Sequence, residues 1–424
     1  MQILTVTRNT EKMHYIKEFF CVFTALAAFI KMSPYFTWNA TGLVAVMYNI
    51  GFTGIAVFLG ILSFKTRVTL RKSICAFAII IIGWYMCYSG EFSTSSTIST
   101  MIMYILIAFF LLKDRNVQAR TFELFYWFFS ISLIPALIIY LLLSLGVSLP
   151  STIIQPMNEL KISNGHYYSQ YFCSVFYNEG IVRSFCGMMD EPGVIGTFCG
   201  LLIIPRTLFN GFRYFKNKAN ILDIVIIISG VVSLSKAFVL IMVFVVFYRL
   251  LMTKNYKGAL GIIVSVLIVI ISLNIETDFT PLVEIQRIYE VSQQTHTLQM
   301  FRTTKSFDSE FLNFMHGDLK YVLFGHGYMS SRLVDAFFGS AEIRMLIYDI
   351  GFVGTFIVIL WIIEATKSTM RYKVSLLSWQ FMLLFAFILS MCQRQYVTTL
   401  DYIVLLIGGC SYINQNDFIK MEHS

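Results

Sequence analysis

Uninterrupted apolar stretches govern this chain. Residues 42 to 64, 121 to 146, 221 to 233 with 236 to 252 close behind, 258 to 274 and 345 to 363 approach or exceed the roughly 20 residues that carry a helix across a bilayer. Their side chains do not alternate between apolar and polar as a barrel strand requires. In lipid, a lone segment satisfies its own N–H and C=O groups only as a helix. The pattern predicts helices at residues 19 to 32, 42 to 64, 74 to 89, 97 to 112, 121 to 146, 192 to 209, 219 to 233, 236 to 252, 258 to 274, 342 to 363, 375 to 391 and 399 to 413, about twelve in all. The first lacks a small-residue cleavage site and leads straight into further spans, so it reads as a membrane helix and not as a cleaved signal.

The polar connectors are short, with two exceptions: residues 147 to 191 and residues 275 to 341. With no visible repeat and no low-complexity linker, residues 1 to 424 are expected to form a single all-α polytopic membrane domain with two large loops on one side. In the second loop, Leu282, Ile285, Ile288 and Val291 recur every three residues against Glu284, Arg287 and Glu290. That spacing predicts an amphipathic helix lying on the bilayer surface or over a cavity.

Composition agrees with this outline, at 57% apolar and 13% charged residues, far from soluble usage. The net charge of +8 would suggest nucleic acid if the cations formed a patch, but they fall at alternate connectors. Arg8, Lys12 and Lys17; Lys65, Arg67, Arg71 and Lys72; Lys113, Arg115 and Arg120; Arg206, Arg213, Lys216 and Lys218; Arg249, Lys254 and Lys257; Lys367, Arg371 and Lys373; and Lys420 make up most of the 32 basic residues. The positive-inside rule then places these segments and both termini in the cytoplasm of a bacterial inner membrane, and the two large loops in the periplasm. Of the eight cysteines, Cys173 and Cys186 lie in the first loop, where a disulfide and two thiols are both open readings. The other six sit in or beside spans, as small apolar groups.

Several chemistries are missing. The chain contains no GxxxxGK[ST] phosphate loop, no HExxH and no Asp-x-Asp, and its six histidines are scattered without ligand spacing. No metal or cofactor is expected. Three constellations stand out instead. Residues 183 to 196, RSFCGMMDEPGVIG, close the first loop: Asp190 suits a helix N-cap and Pro192 the first turn. That helix end favours an anion, either the local Glu191 or a ligand phosphate, with Arg183 just upstream. A cap with a surface ion pair is the structural alternative. The turn Ser233, Leu234, Ser235, Lys236 carries a lysine at the same face, which either snorkels to headgroups or binds an anion. In the third, LFGHGYMSS from Leu323 is followed by AEIRMLIYDIGFVGT, with Glu342, Arg344, Asp349, Gly351 and Gly354. A charge inside a span is costly, so Asp349 should face the bundle beside a cation such as Arg344 or Lys236, in a structural or a functional pair.

In this order and on this side, the segments resemble the Wzy-type O-antigen polymerases, with the O-antigen ligases as cousins. The resemblance covers nearly the whole chain in topology. It rests on the Arg-x-x-Gly-like stretch at Arg183 leading into Glu191-Pro192-Gly193, on Ser233-Leu234-Ser235-Lys236, on Phe324-Gly325-His326-Gly327, and on Gly351 to Gly354. Ligases carry a histidine eleven residues before the first of those helix glycines. Here that place is Ser340, which leans toward a polymerase. Lys236 stands where many relatives have arginine, keeping the charge but not the bidentate fork.

The resemblance implies metal-independent glycosyl transfer between oligosaccharide units carried on undecaprenyl diphosphate. Arg183, Lys236, Arg287, Arg302 and Arg344 are candidates to meet the diphosphate charge. Glu191 is the first candidate base, with Glu342 and Asp349 behind it, although Glu191 is equally placed to hold Arg183. Tyr167, Tyr168, Tyr171 and Tyr177 are candidates to stack on sugars, or simply to pack. Membrane lipids and a chain-length regulator are the implied partners. A ligase, a flippase of lipid-linked sugars and a non-catalytic partner of another transferase remain the competing classes.

Overall fold

The computed structural model describes residues 2–38, 42–64, 68–89, 94–155, 165–172, 174–179, 182–210, 219–252, 254–257, 260–261, 305–334, 343–370, 378–391 and 398–422. Helices dominate: α1 (Gln2–Met32), α2 (Gly42–Leu62, with a π-helical turn at Met47–Gly51), α3 (Leu70–Ser89), α4 (Thr94–Leu112), α5 (Arg115–Ser144), α6 (Pro192–Asn210), α7 (Ala219–Val232), α8 (Lys236–Met252), α9 (Lys305–Met315), α10 (Leu319–Phe324), α11 (Ile343–Thr369), α12 (Trp379–Met391) and α13 (400–422, π-helical at Val404–Gly408). A helix occurs at every position the apolar pattern predicts except 258 to 274, which lies almost wholly outside the described residues. Five helices are long and apolar enough to cross a membrane: Met13–Met32, Gly42–Leu62, Leu70–Ser89, Arg115–Ser144 and Ile343–Thr369. Ser96–Leu112, Pro192–Arg206, Ile221–Val232 and Trp379–Met391 are apolar but shorter.

This is the architecture of a helical membrane protein, and its interior is aromatic. Phe20, Phe110, Phe122, Phe125, Phe129, Phe198, Tyr104 and Tyr126 are fully buried. Large side chains such as Phe58, Phe77, Ile138 and Leu141 face outward, as lipid-facing positions do. Because lipid tails are as apolar as leucine, close packing has to hold the helices together. Gly83 shows how, since a Cβ there would overlap the Tyr104 ring.

The helix ends gather into two faces. On one, cations cap helix C-termini, where the exposed carbonyls and the macrodipole favour positive charge. Lys113 Nζ donates to Gly60 O, Ser63 O and Ser63 Oγ at 2.9, 3.0 and 2.8 Å. Lys72 Nζ donates to Lys113 O at 2.5 Å, and Arg115 to Met370 O at 2.7 Å. Asp114 caps α5 through Val117 N. The same face carries the Arg71–Glu364 pair at 2.9 Å and the Arg206–Asp223 pair at 3.2 Å. On the opposite face Lys31 donates to Ser99 Oγ, Tyr35 to Phe172 O, Tyr85 to Phe324 O and Tyr328 N to Ser89 Oγ. Each of these contacts joins ends that strict alternation of the helices puts on one side.

The first large loop departs from the helical expectation. Its described part is a four-stranded antiparallel sheet in the order β1 (Thr152–Ile154), β2 (His166–Tyr171), β3 (Ser174–Glu179), β4 (Val182–Phe185). The register sets Tyr168 opposite Tyr177 and Phe176 opposite Phe185. Phe176 and Phe185 pack on Tyr140 of α5, with ring centroids 6.2 and 5.7 Å apart, so the sheet caps the second face. The amphipathic segment 281 to 294 lies outside the described residues.

Candidate functional site

Two of the three constellations meet on the second face, beneath the sheet. Helix α6 opens at Pro192, so Glu191, and not Asp190, is the residue whose carbonyl accepts the first helical bonds, from Val194 N at 3.1 Å and Ile195 N at 3.4 Å. Between α7 and α8 the chain reverses within three residues. Ser233 Oγ donates back to Gly230 O at 2.7 Å, Leu234 takes the left-handed φ of 51°, and the Ser235 carbonyl accepts from Val239 N at 3.2 Å. This turn packs directly on α6. A Cβ on Gly196 would overlap Ser235 Cβ and Oγ, and one on Gly200 would lie 3.1 Å from Ile241. Contacts advancing together along both helices mean that α6 and α8 run parallel and begin side by side.

Lys236, exposed, occupies the first turn of α8. A cation there opposes the helix dipole by roughly 0.3–1 kcal/mol, whereas an anion between two such N-termini is favoured. Glu191 is half-buried. Tyr168, buried on the sheet, feels both Asp190 and Glu191; burial first, then these carboxylates, pushes its phenol well above the usual value and keeps it protonated. Tyr177 lies against it with ring centroids 5.3 Å apart. Tyr171 is a packing residue, edge-on to Phe176 at 5.4 Å. The backbone of Arg183 pairs with Asn178 in the sheet, and its side chain lies outside the described part.

The third constellation also assembles, through glycines. Gly351 has φ 72° and ψ 177°, which breaks α11 after Ile350 and leaves the carbonyls above the break in need of donors. His326 N and Gly327 N supply them, to Tyr348 O at 3.0 Å and Asp349 O at 2.9 Å. In return, Gly325 N caps α10 on Tyr321 O at 2.7 Å, and a side chain on Gly351 would overlap the Leu323 carbonyl. The Phe324–Gly327 turn and the glycine helix are thus one interlocked unit.

Asp349 faces the bundle, 1% exposed, but its expected cationic partner is corrected. Its Oδ1 accepts from Ser331 N at 2.8 Å and Ser330 Oγ at 3.3 Å. Neutral donors from a short 3-10 turn, Ser330–Leu333, satisfy it. Arg344 turns the other way, to Asp308 at 2.8 Å, with its guanidinium over the Phe307 ring at 4.6 Å. Arg287, Arg302, Glu342 and Cys173 lie outside the described residues; Cys186 is buried at the end of β4. The sequence reading overlooked Asp308, the ion-pair partner of Arg344, and the ring cluster around His326, formed by Tyr321, Tyr348 and Phe314. The Gly-x-Gly turn was the available signal for that cluster. Compared with protein-family models, with curated proteins and with solved structures, the chain matches none.

Proposed function

We propose that the protein is a polymerase of O-antigen or a related surface polysaccharide. In this reading about twelve helices cross the bacterial inner membrane, both termini are cytoplasmic, and the sheet and the Gly-x-Gly unit belong to periplasmic loops. The substrate is an oligosaccharide repeat unit on undecaprenyl diphosphate, and a chain-length regulator is the protein partner.

The observation that carries the reading is the junction of α6 and α8. Two helix N-termini start side by side under a tyrosine-bearing sheet, with Lys236 on one and Glu191 at the mouth of the other. Such an arrangement suits a reaction in which charge gathers on a departing diphosphate while a hydroxyl loses its proton. The acceptor hydroxyl forms a bond to the anomeric carbon of the donor chain. The anomeric C–O bond breaks, and its electron pair leaves on the lipid diphosphate. Lys236 and the helix-end amides offset that charge, with Arg183, Arg287 and Arg302 as further cations. Glu191 takes the hydroxyl proton, with Glu342 as the other carboxylate in play.

The test is reconstitution. Purified protein in lipid nanodiscs, given only the lipid-linked repeat unit, is expected to yield a ladder of longer lipid-linked chains. Chain transfer only when lipid A-core is added would replace the polymerase with a ligase. Translocation without new glycosidic bonds would replace it with a flippase.

A further inference from the structure

On the same face, in the Gly-x-Gly unit, a histidine is held in a way the proposed reaction does not use. His326 sits between Gly325 (φ 80°) and Gly327 (φ 116°). A side chain on the first would overlap the Asp349 carbonyl, and one on the second the Ser89 carbonyl. Both backbone positions are therefore restricted to glycine, and the His326 amide is tied to Tyr348 O. The imidazole lies among three aromatic rings. Tyr321 stacks on it with centroids 4.4 Å apart and planes at 12°, Tyr348 lies at 4.6 Å and 30°, and Phe314 backs it at 5.7 Å.

What is missing is a use for its nitrogens. Among the described residues neither ring nitrogen of His326 makes a hydrogen bond, and the residue is exposed. His316, one helix away, shows the ordinary structural alternative, its Nδ1 bonded to Leu312 O at 2.8 Å. The charged and titratable groups around the clamp are Glu310 from α9, Lys320 and Tyr321 from α10, and Tyr348 and Asp349 from α11. Asp349 is already engaged by Ser330 and Ser331. Burial among the rings pushes the imidazole below its usual range, against the pull of Glu310. At neutral pH it is an uncharged ring with one donor and one acceptor nitrogen. Tyr321 beside it is 41% exposed and offers an aromatic surface. A flat apolar ring next to neutral hydrogen-bonding nitrogens and a carboxylate matches a pyranose, which has a C–H face and a rim of hydroxyls.

We propose that Tyr321, His326 and Glu310 form an oligosaccharide-binding subsite on the loop face, in which a sugar rests on Tyr321 and a hydroxyl bonds to the His326 ring edge. The subsite deepens the polymerase reading, on which its choice of ligand rests. It orients the repeat unit; His326 is a positioning residue, and no proton transfer is assigned to it.

The experiment uses the full chain in nanodiscs, the repeat-unit oligosaccharide released from the cell's own lipid-linked pool, and the lipid-linked unit itself. His326→Phe keeps the ring stack and removes both nitrogens, and His326→Gln restores a donor and an acceptor. Loss of one neutral hydrogen bond is expected to weaken oligosaccharide binding about five- to tenfold in His326→Phe. His326→Gln should recover part of it, with KM raised, kcat little changed and the thermal transition unmoved. Because burial holds the imidazole below the ordinary histidine value of about 6.5, wild-type binding should persist through that pH and fall off only at lower pH, and His326→Phe should lose that dependence. Wild-type-like binding and KM in His326→Phe would overturn the subsite while leaving polymerisation intact. If the wild type makes no polymer but binds the oligosaccharide through His326, the polymerase falls and the subsite stands.

Discussion

Ser235 occupies the space where a side chain on Gly196 would project, so the α7–α8 turn lies directly against the first turns of α6. Any Cβ at 196 has to move the turn and, with it, Lys236 relative to Glu191. Gly196→Val is expected to cost about 1–3 kcal/mol through overpacking and to lose polymer formation beyond what that destabilisation explains. Thermal unfolding of the purified variant alongside the reconstituted assay separates the two effects. A Gly196→Val protein as stable and as active as wild type would mean that the junction is not built this way.

Lys236 presents the opposite balance, because its position at a helix N-terminus contributes little to stability. Lys236→Ala should stay within about 1 kcal/mol of the parent in stability and still lose at least about tenfold in kcat/KM. Lys236→Arg, which keeps the charge, should retain most activity. Equal activity in all three proteins would remove the lysine from the anion site.

The helices were legible because a run of apolar residues in lipid has a single way to satisfy its backbone. The sheet was not. β1 is three residues long and β4 four, and Phe176 and Phe185 gain their meaning only from Tyr140, which comes from the end of α5. That α6 and α8 begin side by side is not written in either segment, because the Gly196–Ser235 contact that joins them is visible only in three dimensions. Asp349 showed the limit of charge reasoning. Its partners are a backbone amide and a hydroxyl eighteen and nineteen residues earlier, and polar neutral donors leave no mark in a charge pattern. The His326 clamp draws on three helices and the turn between two of them, of which only the paired glycines stood out.

The two faces give a prediction about orientation. Phe172 is 91% exposed in the turn after β2, and Lys367 lies near the end of α11 on the cation-capped face. The proposed topology, in which the large loops are periplasmic, predicts that Phe172→Cys reacts with a membrane-impermeant maleimide in cells with permeabilised outer membranes. Lys367→Cys should react only after the inner membrane is opened. The reverse pattern would invert the topology.

Tyr168 yields a dependence on alkaline pH. Its phenol is raised above the unfolded value by burial, then by Asp190 and Glu191, so the folded state holds the proton more tightly. The resulting stability is present in full below pH about 10 and fades as pH rises through the shifted value, since the unfolded chain releases the proton first. Tyr168→Phe should unfold at a higher alkaline pH than the parent. Glu191→Gln, removing one of the charges, should move the midpoint the same way by less. Identical alkaline midpoints in all three proteins would show that Tyr168 is not buried beside these carboxylates.

Asp349 allows charge and hydrogen bonding to be told apart. Were it the ionised half of a pair with Arg344, neutralising it would strand a cation; as an acceptor for Ser331 N and Ser330 Oγ, it needs only an oxygen. Asp349→Asn keeps that oxygen and is expected to fold with little loss. Asp349→Leu leaves the Ser331 amide without its acceptor, at a cost of about 1–3 kcal/mol, and frees the turn that follows Gly327. Limited proteolysis between Met329 and Val334 reads this out, with cleavage faster in Asp349→Leu alone. If the asparagine variant is cut as readily as the leucine one, then it is the charge, and not the oxygen, that holds the turn, and Arg344 would have to leave Asp308 to provide its counterpart.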